Sequence, residues 1–378
     1  MDFKRYIHAH SDELLASLAA LVRIPSVEGE PEEGAPFGKE PARCLHEMLA
    51  LCEKLGFPTE NMDDRVGWCE YGEGEEMVAV LGHLDVVPAG DGWTESEPFS
   101  GEIKNGRIYG RGTMDDKGPM VAAVYALAAL KQSGFQPSRR IRVIFGTNEE
   151  TGCGDMAWYA SHGGEMPVMG FTPDGEYPLI NGEKGILNGT YTRVLHQTGD
   201  YILTRFEGGE ASNISPAYAV AEVKCPAEAA SKIAAEKVTV TLIDGGIRVE
   251  AEGVAVHGST PELGENAIGR LAMALAQLPF TGETGECLAF VSERLGMETH
   301  GESLGLAMRD DISGDLTMNV GVASFENEAL SLTFSVRYPV TLPYELVYPR
   351  LKRGFTLGGF TETEMTHAAA LYIPKDSE

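Results

Sequence analysis

The sequence predicts an α/β fold, with a mostly parallel sheet in the first half of the chain and an α+β domain after it. Three predicted strands, an apolar run at residues 77–81 and two further segments at residues 139–146 and 168–171, are separated by helical segments. Strands that alternate with helices are typical of parallel sheets. From about residue 185 the chain changes to alternating β patterns, so we place the domain boundary at residues 184 and 185.

Helical patterns lie on both sides of the first predicted strand. Residues 4–22 and 42–55 carry apolar side chains at mostly helical spacing, and the stretch between them, rich in Pro, Gly and Glu, indicates an irregular loop. Asn105-Gly106 predicts a type I′ hairpin, which is followed by a helix over residues 118–132. In the second domain, NAIGRLAMALAQL predicts a single helix among strands.

The composition excludes two classes of partner. The 378 residues include 30 Lys and Arg against 57 Asp and Glu, a net charge of −27. Such a surface repels phosphate backbones and anionic lipid headgroups, so we expect neither nucleic acid nor membrane as a partner. The N-terminal residues are charged where a signal peptide is apolar, and the six cysteines form no C-x-x-C pair. These features favour a cytoplasmic protein with reduced thiols.

Polar residues end or follow every predicted strand of the first domain, and one more precedes its helix. These residues are His83, Asp85, Asp115, Glu149, Glu150 and Asp174. Each alone has an ordinary explanation as a turn or a solvated loop residue. Together they bring an imidazole and several carboxylates to one sheet edge, where their repulsion requires cations. Mixed nitrogen and oxygen ligands favour Zn²⁺, with Mn²⁺ or Co²⁺ as substitutes, over Mg²⁺ or Ca²⁺.

Four motifs carry a resemblance to a known family. GHLDVVP, GRGTMDDKGP, GTNEETG and PDGEYP, in this order and spacing, resemble the dinuclear zinc exopeptidases, which include aminoacylases, carboxypeptidases and peptidase V-type dipeptidases. The resemblance is closest to the peptidase V type and covers nearly the whole chain. It implies a catalytic zinc-binding domain over residues 1–184, an inserted lid domain over residues 185–365, and the start of a return to the catalytic domain over residues 366–378.

The resemblance also implies the metal ligands. His83 and Asp174 would bind one zinc ion, Glu150 would bind a second, and Asp115 would bridge the two ions. Two such ions hold and acidify a water molecule, which is the nucleophile in this type of hydrolysis.

Three further features of the catalytic domain follow from the resemblance. Asp85 would fix the orientation of the His83 ring. Glu149 would be the general base that takes a proton from the water and hands it to the leaving amine. The peptide bond between Asp115 and Asp116 would be cis.

Three residues of the second domain match substrate-binding positions of similar enzymes. His257, in HGSTP, would contact the oxyanion that forms when water attacks the amide carbonyl, and Asn213, in EASNISP, would make a second polar contact there. Arg337, in FSVRYPV, would pair with the substrate's free carboxylate. A histidine in a polar turn and an arginine at a strand end also have structural explanations, which stay open.

The end of the chain departs from the family's pattern. Similar proteins return to the catalytic domain after the lid and there supply a glycine-rich substrate loop and the last zinc-binding histidine. This sequence ends at Glu378, and its last histidine, His367, precedes the return, so we do not assign it as that ligand. We therefore expect a C-terminally truncated member whose second zinc is held by Asp115, Glu150 and water alone.

The function predicted from the sequence is a zinc-dependent dipeptidase that hydrolyses short peptides and is a monomer when complete. Two alternatives remain open at this point. One is an N-acyl amino acid deacylase, which shares the metal chemistry. The other is a catalytically inactive metal-binding fragment, because the last zinc ligand is missing.

Overall fold

The structure, a computed structural model, describes residues 3–377. The chain divides into two compact units, and the division falls between Pro178 and Leu179. The sequence pattern predicts this boundary at residues 184 and 185. Each unit has its own apolar core, so each is described separately.

The first unit contains five helices and seven strands among the described residues. The helices are α1 (Phe3–Ala9), α2 (Ser11–Val22), α3 (Lys39–Lys54), α4 (Lys117–Gln132) and α5 (Gly154–Ser161). The strands are β1 (Thr59–Met62), β2 (Val66–Tyr71), β3 (Met77–His83), β4 (Glu102–Lys104), β5 (Arg107–Tyr109), β6 (Arg140–Gly146) and β7 (Met169–Phe171).

Five of these strands form a mixed sheet in the order β1-β2-β6-β3-β7. Strand β3 runs parallel to both β6 and β7, whereas β1 and β2 are antiparallel to their neighbours. His83, the last residue of β3, pairs with Gly146, the last residue of β6. The chain therefore leaves β3, β6 and β7 at the same edge of the sheet, and the predicted α/β class is confirmed.

Helices α2, α3 and α4 supply most of the apolar core that packs on this sheet. Its fully buried side chains include Leu21, Leu45, Met48, Val124 and Phe145. Burying an aliphatic or aromatic side chain of this size contributes about 1.5–3 kcal/mol. The core thus holds the strand ends, and the loops that follow them, on a rigid support.

The predicted helix over residues 4–22 is wrong in one respect, because it is two helices divided at His10. This residue has φ −112° and ψ 15°, outside the helical region. Its ring stacks on Tyr6 at 4.0 Å between ring centres, and its Nδ1 lies 2.9 Å from the Tyr6 carbonyl oxygen. The spacing of apolar residues does not record such local contacts, so it did not predict the break.

The second unit contains twelve strands and three α-helices among the described residues. The strands are β8 (Gly182–Glu183), β9 (Gly185–Val194), β10 (Ile202–Gly208), β11 (Tyr218–Lys224), β12 (Val238–Ile243), β13 (Gly246–Glu252), β14 (Arg309–Asp310), β15 (Gly314–Asp315), β16 (Thr317–Glu326), β17 (Ala329–Tyr338), β18 (Thr361–Ala368) and β19 (Leu371–Tyr372). The helices are α6 (Ala267–Leu275), α7 (Gly282–Arg294) and α8 (Tyr344–Leu357), with 3₁₀ turns at Ala227–Lys232, Pro261–Leu263 and Glu302–Leu304.

An antiparallel sheet of eight strands, in the order β12-β13-β11-β10-β16-β17-β9-β18, organises this unit. The core includes Phe206, Leu271, Phe334 and Phe355, all buried. The sequence predicted α6 but missed α7 and α8. Pro349 lies inside α8, and a proline within an apolar pattern ordinarily indicates a helix boundary.

The last described residues add to the second unit. Strand β18 pairs with β9 at one edge of the large sheet, and β19 pairs with β8. The return to the catalytic domain stays a prediction. None of the helices over residues 3–377 is long and apolar enough to cross a membrane.

Candidate metal centre

The structure brings together the polar residues that follow the parallel strands. The His83 side chain is buried, and its Nε2 lies 3.0 Å from Asp115 Oδ1 and 3.5 Å from Asp174 Oδ2. The same nitrogen is 4.0 Å from Glu149 Oε2. Asp115 comes from the turn just before α4, whereas the others come from the sheet edge. Residues from four separate segments therefore converge on one imidazole.

Two groups of ligand atoms have the spacing of metal sites. One oxygen or nitrogen from each of His83, Glu149 and Asp174 lies within 4.8 Å of the others, and the same holds for His83, Asp115 and Glu150. Imidazole nitrogen and carboxylate oxygen are ligands that divalent transition metals and zinc accept. Glu149 and Glu150 fall into different groups, so distance alone does not separate a ligand from a base.

Asp85 contacts both His83 and the glutamate loop, the segment after β6 that carries Glu149 and Glu150. Its buried carboxylate accepts the backbone N–H of Glu149 through Oδ1 and that of Glu150 through Oδ2, each at 3.1 Å. The His83 Nδ1 lies 3.0 Å from the Asp85 carbonyl oxygen and 3.3 Å from Asp85 Oδ1. Sequence reasoning assigned Asp85 to the ring alone. Its bonds to the loop were missed, because backbone partners leave no pattern in a sequence.

The peptide bond between Asp115 and Asp116 is cis, as the resemblance implied. Asp116 Oδ2 accepts the backbone N–H of His83 at 3.2 Å, and Asp116 Oδ1 is buried without a hydrogen-bond partner among the described residues. A Cβ atom on Gly82 would overlap Asp116 Oδ2. Glycine at position 82 therefore leaves the space that this aspartate occupies beside the histidine.

Sequence reasoning also missed Lys117, which is fully buried at the start of α4. Its Nζ donates hydrogen bonds to the carbonyl oxygens of Leu21, at 3.0 Å, and Ile24, at 2.7 Å. Burial lowers the pKa of this amine. The lysine joins the end of α2 to the turn that carries Asp115. The only signal in the sequence is a lysine directly after two acids at the start of an apolar helix.

The charges of the cluster favour a bound cation. Burial raises the pKa of Glu149, Glu150 and Asp174, and neighbouring carboxylates add to the rise. Burial opposes the charge on His83 too, yet hydrogen bonds to two aspartates outweigh it and raise the pKa of this ring to about 11. Without a cation the cluster thus retains protons, and a divalent ion in their place would stabilise the ionised carboxylates. The donor set therefore fits a metal ion.

The three predicted substrate-binding residues belong to the second unit, where they are neighbours. Gly258 N donates to the Asn213 carbonyl oxygen at 2.6 Å, and His257 forms a β-bridge with Ile214. Burial lowers the pKa of His257, and the charge of Arg337 lowers it further. The segments of Asn213 and His257 are therefore in contact, and Arg337 is close enough for its charge to act on the His257 ring.

Arg337 has polar neighbours whose hydrogen-bonding groups are unused. Its Nε is buried with no hydrogen-bond partner in the described part of the chain. Thr317, opposite it on β16, and Ser335, two positions earlier on β17, have buried hydroxyls that also lack a partner there. Buried polar groups are ordinarily paired, so these three groups on neighbouring strands are exceptions.

Comparison with known proteins identifies a family that shares this sequence pattern. Residues 79–341 match the family model of peptidase family M20/M25/M40. The Beta-Ala-Xaa dipeptidase of Lactobacillus delbrueckii subsp. lactis is 37% identical over 352 residues, which cover 90% of this chain and 74% of that protein.

Solved structures share the fold. The di-peptidase Dug1p from Saccharomyces cerevisiae aligns with a TM-score of 0.55 and 15% identity, covering 99% of this chain and 81% of that one. The M20 family metallo-carboxypeptidase Sso-CP2 from Sulfolobus solfataricus aligns with a TM-score of 0.53 and 16% identity, covering 97% and 80%. At these identities the likeness concerns the fold alone.

Proposed function

The chain belongs to peptidase family M20/M25/M40, and from this premise we propose that it is a zinc-dependent dipeptidase. The observation that carries the proposal is the pair of ligand groups that share His83, one with Glu149 and Asp174 and the other with Asp115 and Glu150. The relative named for dipeptides that begin with β-alanine supports this substrate class.

In this proposal His83, Asp115, Glu150 and Asp174 hold the metal. Zinc bound there supplies positive charge that polarises the scissile carbonyl and acidifies a water molecule. Glu149 would accept a proton from the attacking water and deliver it to the leaving amine.

The residues of the second unit recognise the substrate in this proposal. Arg337 pairs with the free carboxylate of the dipeptide, and its buried, unpartnered Nε supports this role. His257 and Asn213 contact the oxyanion that develops at the carbonyl. The low pKa of His257 keeps its ring neutral near pH 7, so a single ring N–H donates that hydrogen bond.

An assay with three substrates tests the proposed function. Zinc-loaded protein should hydrolyse alanyl-alanine and β-alanyl-alanine, and it should leave N-acetylalanine intact. Hydrolysis of N-acetylalanine alone would show the deacylase instead. Retained zinc without turnover of any substrate would show a metal-binding protein with no peptidase activity.

We further propose a cytoplasmic location and a monomeric enzyme in which His257 serves the chain that carries it. The separate core and eight-stranded sheet of the second unit support a lid that folds without a partner. Light scattering measures the oligomeric state. Activity restored by mixing His257→Ala and Glu149→Ala chains would contradict the monomer.

A further inference from the structure

A second buried carboxylate, that of Asp155, reaches back from α5 to the end of β6. Asp155 is 1% exposed, and its Oδ2 accepts the backbone N–H of Thr147 at 2.7 Å and that of Asn148 at 2.9 Å. Asp85 accepts the next two backbone N–H groups along the chain. Four consecutive amides, at residues 147–150, are therefore held by two buried carboxylates.

The side chain of Asn148 closes the loop after β6 onto α5. Its Oδ1 accepts the backbone N–H of Gly154 at 3.1 Å, and its Nδ2 donates to Thr151 Oγ1 at 2.5 Å. The Cys153 N–H donates to the Asn148 carbonyl oxygen at 2.8 Å. The two glutamates thus lie in a loop whose backbone is hydrogen-bonded both before and after them.

The bonds of Asp155 go beyond those of a helix cap. Oδ1 accepts the N–H of Met156 at 2.6 Å, within its own helix, but Oδ2 points to the strand end instead. A Cβ atom on Gly146, the last residue of β6, would overlap Asp155 Oδ2, so glycine at this position leaves room for the carboxylate. The sequence thus leaves space for this contact, which a cap alone would not need.

We propose that Asp155 is a positioning residue for the Glu149–Glu150 pair. Its carboxylate fixes the backbone at residues 147 and 148, and so sets where the two following side chains enter the metal centre. This inference rests on the proposed metal-dependent hydrolysis. Because catalytic geometry tolerates little displacement, a shift of about 1 Å in such a loop lowers turnover on the order of 100-fold.

Two substitutions test the proposal. Asp155→Ala leaves two buried N–H groups without a partner and should lower kcat on the order of 100-fold, with KM within about twofold of the wild-type value. Asp155→Asn retains an oxygen that accepts a neutral hydrogen bond, so it should restore part of the loss, to roughly tenfold. Rates are normalised to metal content.

A matched control is Asp310→Asn in the second unit. Asp310 also accepts backbone N–H groups, from Ser313 at 2.5 Å and from Thr341 at 3.0 Å. This variant removes the same chemical group from a loop outside the proposed machinery. Its kcat and KM should equal those of the wild type, whatever its thermal stability.

Cobalt substitution supplies a measurement that does not depend on turnover. The visible absorption of bound Co²⁺ reports the geometry of its ligands, so Asp155→Ala and Asp155→Asn should change the spectrum and Asp310→Asn should not. This comparison decides the proposal even if wild-type protein hydrolyses no dipeptide. An Asp155→Asn protein with wild-type kcat and cobalt spectrum, and only a lower unfolding temperature, would overturn it.

Discussion

The Asp85 carboxylate accepts the backbone N–H of Glu149 at 3.1 Å, although the two residues are 64 positions apart in the chain. The same side chain lies 3.3 Å from the His83 ring. One buried acid therefore contacts both the proposed metal ligand and the loop of the proposed base. Removing it affects both at once.

Asp85→Asn should lower kcat by roughly 10- to 100-fold and weaken metal binding to a similar degree. The amide nitrogen of the new side chain would face an N–H group of the glutamate loop, which leaves two donors opposed. Steady-state kinetics and competition with a chelator measure the two effects. Unchanged metal affinity together with unchanged kcat would contradict the assignment.

Glu149→Ala and Glu150→Ala form a matched pair. Glu149→Ala should lower kcat on the order of 100- to 10,000-fold and leave zinc content nearly unchanged, because it removes the proposed general base. Glu150→Ala should lower both kcat and zinc content, because it removes a proposed ligand. Elemental analysis beside kinetics separates them. If Glu149→Ala also lost its zinc, Glu149 would be a ligand in the group with His83 and Asp174.

Arg337→Lys should raise KM for a dipeptide about tenfold with little change in kcat. Lysine keeps the charge but loses the planar fork that binds a carboxylate through two hydrogen bonds. Competition by alanine should weaken to the same degree, and competition by alaninamide should not change. Equal weakening of both competitors would show that Arg337 does not recognise the carboxylate.

The metal-free protein should lose stability as the pH rises through neutrality. Burial raises the pKa of Asp116 to about 7, and aspartate hydrogen bonds raise the pKa of His83 to about 11 despite burial. Both folded-state pKa values exceed the pKa values of the same groups in the unfolded chain. Each group's contribution to the free energy of unfolding is therefore complete at low pH and is lost as the pH rises through its folded-state pKa.

Urea unfolding in the presence of a chelator, at about pH 6 and about pH 8, measures this effect. Asp116→Asn should reduce the difference between the two pH values. With zinc present the trend should reverse, because the ligands bind metal only when deprotonated. A metal-free protein that gained stability with rising pH would contradict the prediction.

Gly82→Ala should destabilise the fold by about 1–3 kcal/mol, because the new methyl group overlaps Asp116 and Met120 in a packed interior. Gly29→Ala is the control, since its Cβ would make only an ordinary contact of 3.6 Å with the Gly38 Cα. Chemical unfolding of both variants gives the comparison. Equal stability of the two would show that the interior beside His83 relaxes freely.

Much of the fold and most of the candidate metal centre could be predicted from the sequence. Apolar strands separated by helices predicted the parallel core, and acids at the strand ends predicted the convergence on His83. The sequence did not predict helix α8, because Pro349 interrupts its pattern. It did not predict the break at His10, because a local ring and carbonyl contact produces it. In each segment a local feature, a proline in one and a ring contact in the other, departs from the regular spacing of apolar residues.

The sequence by itself determined which polar residues meet at the candidate metal centre, because a parallel sheet places whatever follows its strands at one edge. Only the tertiary structure decided how those residues are held. Asp85, Asp155 and Lys117 act on backbone groups, and every residue type offers the same N–H and C=O. A side chain that recognises the backbone therefore leaves no complementary residue in the sequence, and its partner is known only once the chain is folded.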